Sequence, residues 1–107
     1  MDYPLCDQTV TVYRLEENQV ARCVLRGCYF QMQQLGKAPL ERRFLLVVPG
    51  NTLQVFPGDR VLPGEGPQVA QQDWGRWIPA LVPELVQVGW VKPCYFQGAL
   101  CHTEAGN

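Results

Sequence analysis

Proline and glycine interrupt this chain so often that only short segments can form regular structure. The sequence contains 10 glycines and 9 prolines in 107 residues, and they are densest in VFPGDRVLPGEGP, residues 55–67. Both residue types are disfavoured inside helices and strands and favoured in turns. Long helices are therefore hard to place, and a fold of short strands joined by turns is favoured.

The segments between the turns alternate apolar and polar residues, which is typical of β-strands. We predict an all-β, mainly antiparallel fold: a small β-barrel or sandwich of roughly six to eight short strands, with long loops and at most one short helix. The predicted strands are QTVTVYRL (8–15), VARCVLRG (20–27), CYFQMQQ (28–34), RRFLLVVP (42–49), RVL (60–62), ELVQVGWV (84–91) and ALCHTE (99–104), with LQVF (53–56) as a further short edge.

Several residues predict where strands end or are buried. The polar EENQ (16–19) supplies a hairpin loop, and Gly27 marks a break or a bulge between the second and third predicted strands. Consecutive aliphatic residues in 42–49 predict burial on both faces of that strand. Further turns are expected near Pro93 and at Gln97-Gly98.

The turn-rich stretch 55–67 has two interpretations, a phosphate-binding loop or a series of turns. A phosphate loop needs a preceding strand and a helix that starts directly after the glycines. Here glycines alternate with prolines and no helix follows. Pro57-Gly58 fits a type II turn, Asp59 can bond its own local backbone, and Pro63-Gly64 turns the chain again. Turn chemistry is therefore the favoured interpretation.

A tryptophan-rich insert, residues 69–83, follows these turns. Trp74, Trp77, Ile78 and Leu81 recur with helical spacing. Glycine and proline limit the length of this pattern, so we predict one short helix or a turn-rich excursion on the mouth of the barrel. The two tryptophans form either a docking surface or a cap on the core, and in a chain this small the cap is favoured.

Size and composition favour one globular domain, residues 1–107. Apolar residues make up 47% of the chain and charged residues 18%, which argues against disorder. The formal net charge of −1 lacks the positive excess typical of nucleic-acid-binding proteins. The apolar run FLLVVP (44–49) is too short to span a membrane and no signal segment is recognisable, so no membrane association and a cytoplasmic product are expected.

The cysteines predict neither disulfides nor a metal site. They are odd in number, at positions Cys6, Cys23, Cys28, Cys94 and Cys101. A conceivable zinc ligand set is Cys23, Cys28, Cys101 and His102. The spacing of Cys23 to Cys28 and that of Cys94 to Cys101 match neither a zinc finger nor a zinc ribbon, and buried thiols are the favoured interpretation. We therefore predict no bound metal and no cofactor.

No catalytic motif is recognisable. The chain has one histidine, His102, and no serine, and its carboxylates form no known acid–base pattern. Cys101 adjoins His102, but neighbouring residues of a strand point to opposite faces and do not pair. We predict that the protein is not an enzyme.

Nucleic-acid binding is a minor alternative. Small barrels bind single strands by stacking bases on aromatic side chains. The residues suited to this are Tyr13, Tyr29, Phe30 and Trp90, with Arg22, Arg26, Arg42 and Arg43 nearby. The absence of a net positive charge removes the main source of such affinity, and solvated strand faces and core aromatics explain the same residues.

The order of several segments resembles one family. TVTVYR leads to RCVLRGCYFQ, RRFLLVVP precedes LQVFPGDRVLPGEGP, and the chain closes with HTEAGN. In this order the sequence is similar to the minor capsid proteins of the head–tail connector of tailed bacteriophages and prophages of Gram-positive bacteria. The likeness covers most of the chain except residues 69–83, which depart from the family pattern.

The resemblance implies a structural virion protein. It would close the DNA-filled head, join the portal and its adaptor to the tail, and assemble as a ring, while existing as a monomer in isolation. It would be located in the virion, and in the host bacterial cytoplasm during assembly. A tail-completion or terminator protein, or a small β-barrel that binds nucleic acid or protein, is the alternative.

Loops 35–41 and 63–83 are the segments expected to contact neighbouring subunits and to reach into the channel. The candidate interaction residues in or beside them are Lys37, Arg42, Arg43, Glu65, Trp74, Arg76 and Trp77. Charge reversal at the three basic residues of the first loop region is expected to leave folding intact, because surface substitutions usually cost little stability.

Overall fold

The computed structural model describes residues 5–36 and 42–107. Within them the chain forms an antiparallel sheet of seven strands that curls into a half-barrel. The strands are β1 (Gln8–Glu16), β2 (Gln19–Gln34), β3 (Arg42–Pro49), β4 (Arg60–Pro63), β5 (Val86–Gln87), β6 (Trp90–Phe96) and β7 (Ala99–Gly106). Their order in the sheet is β5-β4-β1-β2-β3-β7-β6.

The all-β prediction is confirmed. The strand number lies in the expected range, and the regular helix of the described residues is a single 3₁₀ helix, Gln71–Arg76. This helix falls inside the tryptophan-rich insert, where a short helix or a turn-rich excursion was predicted. Gly75 inside it and Pro79 three residues after its end keep it from extending into an α-helix.

Two tight hairpins form where polar turn residues predicted them. Glu17 and Asn18 have φ angles of 48° and 66° between β1 and β2. Gln97 and Gly98 have φ angles of 52° and 80° between β6 and β7. Positive φ at both central residues is the signature of a type I′ turn, whose twist matches that of the flanking strands.

The second and third predicted strands are one continuous strand, β2, which corrects the sequence interpretation. Gly27 has φ 72° and lies in a bulge, since the register changes from Val10 opposite Leu25 to Gln8 opposite Cys28. A bulge inserts one residue and bends the strand without ending it. Of the two roles predicted for Gly27, the bulge is the one that occurs.

Other predicted boundaries were wrong. Segment 53–56 is irregular, and segment 84–91 divides between β5 and the start of β6. Pro93 lies within β6 and forms no turn. Proline donates no hydrogen bond, and β6 is the last strand in the sheet order, where this loss is tolerated.

The hydrophobic core draws on most of the strands of the sheet. It is built from buried side chains that alternate along the strands: Val10, Val12, Leu25, Phe30, Phe44, Leu46, Val48, Val61, Val86 and Ala105, joined by Val55 and Val88 from the connecting segments. In β3 only every second residue is buried, so the prediction that both faces of this strand are buried was wrong. The neighbours Leu45 and Val47 are half-buried.

Candidate functional site

The turn-rich segment that contains Glu65 is bonded to the sheet through its backbone. The Gly66 amide donates to Thr11 Oγ1 at 2.8 Å, and the Gly66 carbonyl accepts from Arg22 Nε at 2.8 Å. Tyr13 Oη donates to the carbonyl of the next residue, Pro67, at 2.8 Å. A phosphate would need free backbone N–H groups, and the Gly64 and Gly66 amides are both already bonded to β1, through the Thr9 carbonyl and Thr11 Oγ1.

Glu65 itself is exposed and lies beside two arginines of β2. Its carboxylate is 3.1 Å from Arg26 Nη2 and 3.8 Å from Arg22 Nη2. Exposed ion pairs of this kind contribute little stability and exchange readily. Glu65 is accessible to a partner, although its charge is partly compensated within the chain.

Trp74 and Trp77 pack against the sheet. The Arg60 guanidinium lies 3.8 Å from the centre of the Trp74 ring, and its Nη1 donates to the carbonyls of Trp74 and Trp77 at 2.7 and 2.8 Å. The Trp77 ring meets the buried Tyr13 ring edge-on, with centroids 5.3 Å apart. Both tryptophans are half-buried, so most of their surface is used inside the chain.

Of the remaining predicted residues, some are hydrogen-bonded within the chain and others are exposed to solvent. Arg42 Nη1 donates to the carbonyls of Leu85 and Pro79 at 3.0 and 3.3 Å, which joins β3 to the segment after the 3₁₀ helix. Arg76 is exposed and pairs with Asp73 at 2.5 Å. Arg43 is exposed on β3.

Six of the seven predicted residues lie in the part of the chain that the structure describes. Trp74, Arg76 and Trp77 share the insert, and Arg42 reaches the chain just after it. Lys37 lies outside the described residues, as does most of the loop 35–41.

An exposed aromatic pair at the end of the β6–β7 hairpin was missed by sequence reasoning. Tyr95 and Phe96 are 62% and 59% exposed and directly precede the type I′ turn. We call these two residues the aromatic tip. The signal was present in the sequence, because two aromatic residues beside a Gln-Gly turn cannot both reach the core from the end of a hairpin.

An open groove lies on β1 and β2 and along the irregular segment before β4. Its volume is about 200 Å³, and its lining includes Val12, Arg14, Ala21, Leu53 and Phe56. Leu53 and Phe56 are 37% and 41% exposed, so the groove has an apolar wall that solvent reaches. We call it the β1–β2 groove. Strands β3 and β7 separate it from β6 in the sheet order.

A cluster of three side chains of metal-binding type lies on the β6–β7 hairpin. Cys94, His102 and Glu104 place one sulfur, nitrogen or oxygen atom each within 4.8 Å of one another. Cys94 Sγ donates to Glu104 Oε2 at 3.1 Å, and this hydrogen bond, together with burial, raises the pKa of the Cys94 thiol. The zinc set considered from the sequence is different, since Cys23 lies exposed on β2 and Cys28 is buried there.

Comparison with known proteins gives no family to which the chain is assigned. In the described parts of the chain, no helix has the length and apolar character needed to cross a bilayer. No protein-family model matches the sequence, and no curated protein or solved structure shows significant similarity to it.

Proposed function

We propose that the protein is a structural component of the head–tail connector of a tailed bacteriophage or prophage. In this role it closes the DNA-filled head and joins the portal and its adaptor to the tail through ring assembly. The resemblance of its segment order to the minor capsid family supports the proposal. The observation that carries it furthest is the aromatic tip, an exposed pair of large side chains at the end of the β6–β7 hairpin.

Exposed aromatic residues are suited to protein–protein contact. Tyrosine and phenylalanine bury a large area with little loss of side-chain freedom, and aromatic residues are enriched in interfaces. Pro93 lies within β6, two residues before Tyr95. Because proline at a sheet edge opposes pairing with a further strand, contact through side chains is favoured over addition of a strand.

The occupant that we assign to the tip is the β1–β2 groove of the next copy in the ring. Tip and groove lie on different strands, so one copy can offer its tip to one neighbour and its groove to another, in a head-to-tail arrangement. Repeated head-to-tail contacts close into a ring when the rotation between subunits allows it. A symmetric portal would raise the local concentration of subunits, so that a chain proposed to be monomeric in isolation would assemble only on this template.

The gene neighbourhood gives the first test. The DNA flanking the gene is sequenced and the neighbouring reading frames are translated. Portal, scaffold and major capsid genes upstream with tail genes downstream are the expected result. Flanks filled with metabolic or regulatory genes would overturn the connector proposal.

The second test is assembly on the purified portal–adaptor complex encoded by those neighbouring genes, followed by negative-stain electron microscopy. Phe96→Ala and Phe56→Ala are each expected to fold and to abolish rings, whereas Leu81→Ala, at a leucine that is 62% exposed, is the matched control. Mixing the two variants restores one intact tip–groove contact per pair, so cross-linking is expected to recover dimers without rings. Rings formed by Phe96→Ala alone would contradict the role of the tip.

A further inference from the structure

We propose that Cys94, His102 and Glu104 form a zinc-binding site on the β6–β7 hairpin. This inference is independent of the proposed connector function, since it rests only on the geometry and chemistry of three side chains. The site is absent from the sequence prediction, which assigned no metal.

Strand register brings the three residues together. Cys94 lies directly opposite His102 in the β6–β7 pair. Glu104 follows His102 by two positions, so both side chains lie on the same face of β7. The site is therefore held by the backbone of one hairpin, and no long loop has to be ordered to assemble it.

Glu104 lies at nearly the spacing that zinc imposes from each of the other two ligand atoms, and all three atoms lie within 4.8 Å of one another. Zinc binds sulfur at about 2.3 Å and nitrogen or oxygen at about 2.0–2.1 Å in a tetrahedron, which places ligand atoms about 3.3–3.6 Å apart. Cys94 Sγ lies 3.1 Å from Glu104 Oε2, and His102 Nε2 lies 3.8 Å from the same oxygen. Changes of a few tenths of an ångström bring these distances to the values for a bound ion.

The chemistry of the donors selects the metal. A thiolate and an imidazole with one carboxylate suit Zn²⁺, whereas Mg²⁺ and Ca²⁺ prefer oxygen donors alone. On binding, a zinc–sulfur bond replaces the S–H bond of Cys94, and the proton leaves to solvent. The thiolate and the Glu104 carboxylate together balance the charge of the divalent ion, and His102 binds as neutral imidazole.

The position of the site leaves a fourth coordination place open. The side chains of His102 and Glu104 are 25% and 31% exposed, so the cluster is reached by solvent on one side. Three protein ligands with one open position accept a water molecule or a donor group from another molecule. Because Cys94 directly precedes Tyr95, the bound ion also fixes the hairpin that carries the aromatic tip.

Cobalt and zinc titrations of the untagged, reduced chain test the site. Co²⁺ bound through a cysteine gives a thiolate-to-metal charge-transfer band and the visible bands of tetrahedral cobalt, and Zn²⁺ should displace it. Cys94→Ser should remove the charge-transfer band, and Cys94→Ser and Glu104→Gln should each weaken zinc binding by at least about tenfold, because even outer-shell partners contribute roughly 10–100-fold. Cys23→Ser, at an exposed cysteine of β2, is the matched control and should bind as the parent does.

Thermal unfolding provides a readout that does not depend on spectroscopy. Zinc should raise the unfolding temperature of the parent and of Cys23→Ser, and leave that of Cys94→Ser unchanged. Far-ultraviolet circular dichroism shows whether each variant is folded before metal is added. An absence of binding to the folded parent, or equal binding by the parent and Cys94→Ser, would overturn the proposal.

Discussion

Arg14 donates two hydrogen bonds to the carboxylate of Asp59, one from Nε at 2.7 Å and one from Nη2 at 2.6 Å. Asp59 is only 2% exposed and also accepts a hydrogen bond from the Phe56 amide at 2.8 Å. The hydrogen bond to Asp59 raises the pKa of Arg14 above its ordinary range. Asp59 therefore closes the Pro57-Gly58 turn and ties it to β1.

Replacing Asp59 with alanine should destabilise the protein by about 2–4 kcal/mol, because it removes the buried carboxylate partner of Arg14, leaving only the exposed Glu16, and opens the turn. The cost stays below that of a fully buried pair, since the Arg14 side chain is 31% exposed. Urea unfolding gives the free energy. Asp73→Ala, which breaks the exposed pair with Arg76, should cost less than about 1 kcal/mol. Equal effects of the two substitutions would argue against a special role for Asp59.

Alanine at Gly66 should destabilise the fold by about 1–3 kcal/mol through overpacking. A Cβ atom there would lie 2.9 Å from Leu62 Cδ2 and still closer to Tyr13 Oη. Gly75→Ala, in the 3₁₀ helix, meets open space and should be neutral or slightly stabilising. Urea unfolding of the two variants side by side measures this difference in stability. Equal stability of the two variants would mean that segment 64–67 is not held against the sheet in solution.

Trp77→Ala should cost about 2–4 kcal/mol of stability, because the indole packs edge-on against the buried Tyr13 ring. Tyr95→Ala, at an exposed aromatic residue, should change the free energy of unfolding by no more than about 0.5 kcal/mol. Chemical denaturation followed by circular dichroism avoids reliance on tryptophan fluorescence. Unchanged stability of Trp77→Ala together with failed ring assembly would make Trp77 a contact residue instead.

Charge reversal should have different effects on stability at Arg42 and Arg43, two neighbouring arginines for which the sequence predicts the same outcome. Arg42→Glu removes donors from the Leu85 and Pro79 carbonyls and should cost about 1–3 kcal/mol. Arg43→Glu, at an exposed position, should stay within about 0.5 kcal/mol. Thermal and urea unfolding distinguish them. The expectation that reversal at either arginine leaves folding intact is thus kept only for Arg43.

Alkaline pH should destabilise the protein through Cys28. Burial, with a smaller contribution from Cys6, raises the pKa of this thiol from its ordinary 9.0 to about 11. Below pH 9 the thiol keeps its proton in both states, so the full stability is present. Between pH 9 and 11 the unfolded chain loses the proton first. As pH rises through this range, the free energy of unfolding falls by up to about 3 kcal/mol.

Urea unfolding at pH 7.5 and at pH 10 tests this dependence. Cys28→Ala should be less stable at neutral pH but should lose less stability on alkalinisation. Part of the dependence of the unfolding free energy on pH should remain in that variant, because burial also raises the pKa of Tyr13. An identical loss of unfolding free energy between pH 7.5 and pH 10 in parent and variant would mean that Cys28 does not titrate as described.

The fold class, the β1–β2 and β6–β7 turns and the role of Pro57-Gly58 follow from the sequence, because they depend on local preferences. Positive φ at Gly58, at 93°, is what a type II turn requires at that position. The single strand β2 does not follow, since a glycine inside an alternating segment is equally compatible with a bulge and with a break. Only pairing with β1 on one side and β3 on the other decides between them.

The candidate sites were harder to predict because they depend on register. A two-residue turn at Gln97-Gly98 alone would set Cys94 opposite Cys101. A bulge between Cys94 and Tyr95 shifts the pairing by one residue and places His102 there instead. The sequence carries no local signal for this bulge. In the same way, the helical spacing of Trp74 and Trp77 gives no indication that Arg60 would stack on one ring while the other meets Tyr13.

The sheet order has a consequence for the time course of folding. The β1–β2 hairpin can form as soon as it is synthesised, but β4 must cross back to pair with β1. The edge of β3 that faces away from β2 stays unpaired until β7 inserts between β3 and β6. Of the described strands, β7 is the last to be synthesised. Contacts so distant along the chain form slowly. A partly synthesised chain therefore exposes the apolar edge of β3, and translation rate and chaperone supply should govern the yield of the protein more than its final stability does.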